Sequence, residues 1–284
     1  MERECFLSIL IVLSAGMAIL ACGWWPVANT EQTNARQLER FRWKQVWLPL
    51  VPAIIITAWL CGWALVEPDP TPEAPPLPLL VAGIPFMLLL ARALIRTVWS
   101  FLRDNGEVPT ATVGLVKPRI LFSPYLAKAL DDNAIHAALG HERAHARHLD
   151  PLRIWAAQLA TDLQWPWPPA RERLSQWLTA LELARDEEAR AAGVDGTDLA
   201  EVILASARFT GQANLSTQAA LIGEPSSLKE RITRLLNPLT EALDETNPVS
   251  RVLPWLLPPS LLVAVALGSV FGERVIIAVL RIAA

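Results

Sequence analysis

The chain has 284 residues, of which 52% are hydrophobic and 19% charged, and its mean hydropathy is +0.32. This composition excludes a disordered chain, which has few apolar residues, and a small disulfide scaffold, which is rich in cysteine. The formal net charge of −3 gives no electrostatic support to direct nucleic-acid binding.

The apolar residues are gathered into four runs without a charged side chain, at 5–30, 46–66, 74–91 and 252–271. Each run reaches or approaches the roughly 20 residues that a helix needs to cross a bilayer. We therefore predict transmembrane helices at about 5–24, 46–66 and 77–98, and a fourth after residue 252. The alternative is a set of buried helices in a soluble core. We expect the first run to be a retained anchor rather than a signal peptide, because no clearly basic segment precedes it.

The charges of the connecting segments predict how these helices are oriented. The first loop carries Arg36, Arg40, Arg42 and Lys44, whereas the second carries acidic residues and no Lys or Arg. Basic residues follow the third run. Because short basic loops stay in the cytoplasm, we expect the large segment between the third and fourth helices to be cytoplasmic.

This segment, residues 102–251, is expected to form a separate, mostly helical domain. β-favouring runs on both sides of Lys117-Pro118 predict a small strand pair at its beginning. A helix is predicted from Asp131 to about residue 149. The predicted protein is therefore mainly α, with three membrane helices in 1–101, this domain in 102–251, and a fourth membrane helix with a short external tail in 252–284.

The predicted helix contains the motif His141-Glu142-Arg143-Ala144-His145, or HExxH. At about 100° per residue, His141 and His145 lie one turn apart on one face and can direct a ring nitrogen at one Zn²⁺. Glu142 lies beside them and can accept a proton from an attacking water. Small apolar residues share this face. The motif is thus expected to face the interior, which a chance motif on a solvated helix does not explain.

Two histidines leave the predicted zinc site without a third protein ligand. The extended pattern HExxHxxGxxH fails because His148 stands at its glycine position, and we expect His148 at the surface or behind the ligands. A second predicted helix offers Glu182 on the flank of its apolar stripe and Asp186 one turn later. We predict that Glu182 binds Zn²⁺ and that Asp186 orients a ligating imidazole. The alternative for Glu182 is an ion pair with Arg185 or with another charged residue at the surface.

The two motifs together resemble those of a known group of enzymes. HERAH followed by the ExxxD motif is similar to the gluzincin zinc peptidases. Residues 113–121, 145–151 and 228–236 resemble more specifically the BlaR/MecR-type antirepressor membrane metallopeptidases, as do four spans with a peptidase domain between the third and fourth. The resemblance implies a multi-pass zinc metalloendopeptidase of the bacterial inner membrane, with its peptidase domain in the cytoplasm.

By this resemblance, His141, His145 and Glu182 bind Zn²⁺, and Glu142 is the general base. The implied substrate is a cytoplasmic protein, either a transcriptional repressor or the peptidase's own linker, cleaved in signal-responsive regulation. The family's β-lactam sensors carry a large extracellular domain after the last span. Only 272–284 follows the last run here, so antibiotic sensing by this chain is not expected.

Two hypotheses about the function of the chain remain as alternatives to a peptidase. The chain could be a non-catalytic membrane scaffold or sensor subunit that retains a zinc site. Glu142 argues against this reading, because a structural site needs no base and prefers cysteine ligands, which the predicted domain lacks. A transporter is disfavoured because the runs hold almost no ionisable residues beyond Arg92 and Arg96, which extend the third.

Overall fold

The computed structural model describes residues 2–23, 34–66, 77–102, 110–165, 167–212, 225–237, 260–272, 274–275 and 277–278. Within these ranges the protein is mainly helical and has one antiparallel two-stranded sheet, as the sequence predicts. In chain order the elements are α1 (Glu2–Gly23), α2 (Ala35–Trp47), α3 (Val51–Val66), α4 (Leu77–Leu102), β1 (Thr110–Val113), β2 (Arg119–Phe122), α5 (Pro124–Ala129), α6 (Asp132–Arg147), α7 (Asp150–Leu163), α8 (Pro168–Ala191), α9 (Gly196–Gln212), α10 (Pro225–Leu236) and α11 (Ser260–Gly272).

The predicted strand pair is a hairpin in which Thr110 pairs with Phe122 and Val113 with Arg119. The turn between the strands depends on Gly114, whose φ is +95°. A Cβ at this position would lie 2.7 Å from the carbonyl oxygen of Lys117, so both the backbone angle and the available space favour glycine. β1 packs against α6 and thereby lies beside the HExxH motif.

The helix that carries the motif ends two residues earlier than predicted. Asp131 caps its beginning, where the carboxylate accepts a hydrogen bond of 2.8 Å from the backbone N–H of Ala134. At the other end Leu149 has a φ of 53°, in the left-handed region that few non-glycine residues adopt. This residue ends the turn after α6 and starts α7 at Asp150. The chain therefore reverses direction and brings Asp150 back towards the end of α6.

Residues that the sequence assigns to a loop between the first two spans form α2, which packs along α8. Apolar side chains recur in α2 at helical spacing, and Val46 contacts a core formed by α7 and α8. At the centre of this core Trp177 of α8 is fully buried. α2 is thus an integral part of this helical core, although it precedes the predicted second span.

Among the described residues, one helix, Ala35–Leu65, is long and apolar enough to cross a membrane by its length and composition. It is continuous from α2 into α3 through the short 3₁₀ turn Leu48–Leu50. Leu7–Cys22 and Ser260–Gly272 are shorter apolar helices. The four predicted spans therefore stay a prediction.

The apolar helices approach one another closely at glycine residues. A Cβ on Gly62 of α3 would collide with the backbone of Val265 in α11, and a Cβ on Gly268 of α11 would collide with the carbonyl oxygen of Trp59 in α3. Small residues at such crossings let two helix backbones touch, a packing that is common between helices in membranes.

α4 is joined to the same helical core through two of its arginines. Arg92 Nη1 lies 3.7 Å and Arg96 Nε 3.5 Å from the carboxylate of Asp162, near the end of α7. The Arg92 guanidinium also lies over the ring of Trp165, 4.7 Å from its centre. The two arginines that follow the third apolar run thus contact the core.

Candidate metal centre

The two motif histidines direct their imidazoles into one buried pocket. His141 and His145 lie one turn apart on α6, and their side chains are 11% and 10% exposed. Their Nε2 atoms are 3.1 Å apart, and the ring planes are inclined at 73°. Because both Nε2 atoms face the same point, α6 offers two nitrogen ligands to a single ion.

Glu182 of α8 supplies a carboxylate to the same point. Its Oε2 lies 3.5 Å from His141 Nε2, and its Oε1 lies 3.6 Å from His145 Nε2. The three side chains each offer a ligand atom, and these atoms lie within 4.8 Å of one another. Tetrahedral ligands about 2.05 Å from Zn²⁺ are separated by about 3.3 Å, so the donor set suits zinc in both chemistry and spacing.

Carboxylates stand behind both imidazoles. His141 Nδ1 lies 3.0 Å from Asp186 Oδ1, and His145 Nδ1 lies 2.9 Å from Asp150 Oδ2. The His145 contact is a hydrogen bond, whereas the His141 contact has the distance but not the angle of one. A carboxylate at Nδ1 favours a proton there and leaves the lone pair of Nε2 for a metal. This is how histidine ligands are commonly supported in zinc proteins.

The sequence predicted that Asp186 contacts a ligating imidazole, but it did not predict the contact of Asp150 with His145. Asp150 is fully buried and also accepts hydrogen bonds from Arg185 Nε at 2.5 Å and Nη2 at 2.9 Å. Burial would raise the pKa of Asp150, but Arg185 and His145 outweigh it and lower this pKa. Arg185 therefore binds Asp150 rather than Glu182, and the ion-pair partner of Glu182 is Arg231.

Arg231 of α10 is a further residue that the sequence did not single out for the site. Its Nη1 lies 3.0 Å from Glu182 Oε2, and its Nε and Nη2 donate to the two oxygens of Asp186 at 2.7 and 2.9 Å. Burial would raise the pKa values of both carboxyl groups, but Arg231 and the imidazoles lower them. Arg231 thus keeps two neighbouring carboxylates ionised. The sequence signal for Arg231 was its place in residues 228–236, one of the segments that carry the family resemblance.

The acidic surroundings favour a cation between the side chains. Burial by itself would lower the pKa of His141, but Asp186 and Glu182 outweigh burial and raise this pKa to about 10. Negative charge at the pocket therefore stabilises either a proton on the ring or a metal ion in contact with it.

Glu142 lies next to the ligand set but points towards the sheet. Its Oε1 accepts a hydrogen bond of 3.1 Å from the Thr110 hydroxyl, and its Oε2 one of 2.7 Å from the Thr112 hydroxyl. The carboxylate is therefore held by β1 and is not one of the three grouped metal-binding side chains. This leaves Glu142 available for proton transfer.

His148, the next histidine after the motif, lies at the surface. His148 is 45% exposed on its side chain, and its Nε2 lies 2.8 Å from Glu188 Oε2. It is directed away from the three grouped side chains. This agrees with the expectation of a surface role for His148.

Residues 96–235 match the family BlaR1 peptidase M56. The matched segment contains the hairpin, the HExxH helix, Glu182, Asp186 and Arg231, and it leaves out α2 and the predicted first two spans. No curated protein and no solved structure shows significant similarity to the chain. The family agrees with the one that the motifs resemble. Residues 96–235, the segment that carries the candidate metal centre, therefore match the BlaR1/MecR-type M56 peptidase family.

Proposed function

We propose that the protein is an integral-membrane zinc metalloendopeptidase that hydrolyses peptide bonds in a cytoplasmic protein. The observation that carries this proposal is the convergence of His141, His145 and Glu182 from two helices, with Glu142 beside them. Two histidines and one glutamate are the ligands of thermolysin-like zinc enzymes, which leave a coordination position for the reaction.

We assign a separate role in hydrolysis to each of these residues. His141, His145 and Glu182 would hold the ion, and the carboxylates behind the imidazoles would keep their rings in place. When bound, zinc supplies Lewis acidity, which polarises a peptide carbonyl and makes water a nucleophile near neutral pH. Glu142 would accept the proton of the attacking water and pass it to the leaving amine. Thr110 and Thr112 hold the carboxylate of Glu142 through their hydroxyl groups.

The proposed location is the bacterial inner membrane, with the peptidase domain in the cytoplasm and four helices in the bilayer. α2 carries the basic residues of the first predicted loop and packs against α8, and Arg92 and Arg96 of α4 contact α7. Basic residues near membrane helices favour the cytoplasmic side, so their contact with the domain supports a cytoplasmic site.

The proposed substrate is a cytoplasmic transcriptional repressor or the protein's own linker, in line with the family resemblance. Cleavage of a repressor would link a signal at the membrane to gene expression. We propose no direct contact with nucleic acid, because the chain has a formal net charge of −3.

The proposal is tested with the full-length protein purified in detergent. We expect about one zinc ion per chain, proteolysis that stops when a chelator removes the metal, and recovery when zinc is added. Proteomics of cells with the parent chain and with the Glu142→Ala variant would identify the substrate by cleavage products that depend on Glu142. A metal-binding protein without chelator-sensitive proteolysis would instead support the non-catalytic scaffold.

A further inference from the structure

Glu39 of α2 is a buried acidic residue outside the segment that matches the peptidase family. It lies on the face of α2 that packs against α8, where the neighbouring buried positions are Ala35 and Val46. A carboxylate on such a face requires partners, because burying an unpaired charge is costly. Trp177 Nε1 donates a hydrogen bond of 3.1 Å to Glu39 Oε1, and Arg153 Nη2 forms an ion pair with the same oxygen.

Arg153 connects Glu39 to α7. Its guanidinium donates to Glu39 through Nη2 and to Asp150 Oδ1 through Nη1, the latter at 3.0 Å. The same group lies 4.9 Å from the centre of the Trp43 ring and 5.6 Å from that of Trp177. Two carboxylates and two aromatic rings thus hold the planar guanidinium in one orientation.

Asp150 completes a chain of contacts that ends at a predicted metal ligand. One of its oxygens accepts from Arg153, and the other accepts from His145 Nδ1 at 2.9 Å. The path from Glu39 to the imidazole therefore runs through Arg153 and Asp150. Each step involves a charged group, and such hydrogen bonds are stronger than neutral ones.

We propose that Glu39 is a positioning residue for His145 and acts through Arg153 and Asp150. This inference rests on the proposed zinc function and adds a residue that the matched segment does not contain. Glu39 shares Arg153 with Asp150. Without the charge of Glu39, the guanidinium is drawn towards Asp150, and the carboxylate that orients the imidazole shifts with it.

The position of Glu39 also relates the zinc site to the longest apolar helix. Ala35–Leu65 is continuous, so the segment that carries Glu39 leads directly into the predicted second span. A displacement of this helix relative to α7 would change the Glu39–Arg153 contact. The same four residues thus offer a route by which the membrane segment regulates the site.

The test compares Glu39→Gln with Glu187→Gln in the full-length protein in detergent. Both changes remove one negative charge from the α2–α8 contact, since Glu187 accepts hydrogen bonds from the backbone N–H of Ala35 at 3.2 Å. Glu187 has no place in the chain that leads to His145. It therefore controls for weaker docking of α2.

We expect Glu39→Gln to weaken zinc binding roughly tenfold, the low end for loss of an outer partner of a ligand. It should also change the visible absorption spectrum of the Co²⁺-substituted protein. Glu187→Gln should leave both the zinc Kd and the Co²⁺ spectrum as in the parent chain. Thermal melting of each variant shows that it is folded.

Arg153→Lys provides a second variant if Glu39→Gln does not fold. The lysine keeps the charge but cannot bridge two carboxylates as the guanidinium does, so it should weaken zinc binding to a similar extent. The variant that carries both Glu39→Gln and Arg153→Lys should have about the same zinc Kd as the single variant with the larger effect, because both changes interrupt one path.

The inference is overturned if Glu39→Gln and Glu187→Gln give the same zinc Kd and the same Co²⁺ spectrum. It is also overturned if the effects of Glu39→Gln and Arg153→Lys simply add. A parent chain that binds no zinc would instead refute the proposed function, so the two failures are distinguishable.

Discussion

Replacing Glu142 tests the assignment of the general base. Glu142 is 6% exposed, and its carboxylate is held by the hydroxyl groups of Thr110 and Thr112 at 3.1 and 2.7 Å. Glu142→Gln keeps the shape of the side chain and an oxygen that can accept from a threonine, but the amide cannot take a proton. Glu142→Ala removes the group altogether. Neither change touches the three side chains that group within 4.8 Å.

General-base catalysis contributes about 10²- to 10⁴-fold to rate, or ~3–5 kcal/mol of transition-state stabilisation. We therefore expect both variants to bind as much zinc as the parent chain and to cleave at least about 100-fold more slowly. Zinc content is measured by atomic spectroscopy and cleavage by product formation at saturating zinc. Arg143→Gln, at an exposed position of the same helix, is the control and should cleave at the parent rate.

Two results would refute this reasoning. Parental rates of proteolysis in Glu142→Ala would show that another group accepts the proton. Loss of zinc from Glu142→Gln would show that this carboxylate supports the metal, so its effect on rate could not be assigned to proton transfer.

Three other measurements probe the ligand set, its charge and the helix packing. Glu182→Ala should weaken zinc binding by more than about 100-fold in a competition with a chelator, which is more than the loss of a residue behind a ligand causes. An unchanged metal content would mean that another residue is the third ligand. Zinc competes with a proton at His141, whose pKa is about 10. Lowering the pH from 8 to 6 favours the protonated ring, so the apparent zinc Kd should rise about tenfold per pH unit. A Kd that does not change with pH would contradict competition with a proton at this ring. Gly268→Leu forces α11 away from Trp59 and should destabilise the protein by about 1–3 kcal/mol, which is measured as a lower Tm. The control variant Val263→Leu, on an exposed face of α11, should leave the Tm unchanged.

The metal centre shows how charge and geometry support each other. Asp150 and Asp186 contact the imidazoles, and Arg185 and Arg231 contact these two carboxylates in turn. Burial raises the pKa values of the two carboxyl groups, whereas the arginines and the imidazoles lower them, so that both pKa values lie below the usual range. Arg185 thus supplies the counter-ion for Asp150.

The features that depend on neighbouring residues could be predicted from the amino-acid sequence. The spacing of His141 and His145 places both rings on one face, because each residue of an α-helix turns by about 100°. The hairpin around Gly114 and the cap at Asp131 likewise follow from local backbone geometry. Glu182 could be predicted because a carboxylate beside an apolar stripe requires a partner.

Contacts between side chains that are distant in the sequence could not be predicted and became known from the fold. Asp150 reaches His145 because the backbone reverses direction at Leu149, and helical periodicity predicts no such turn. Arg153 meets Glu39 across 114 positions of the chain, and Arg231 meets Asp186 across 45. Such contacts depend on how whole helices pack, and packing is decided by the total apolar surface that the fold buries rather than by any local pattern.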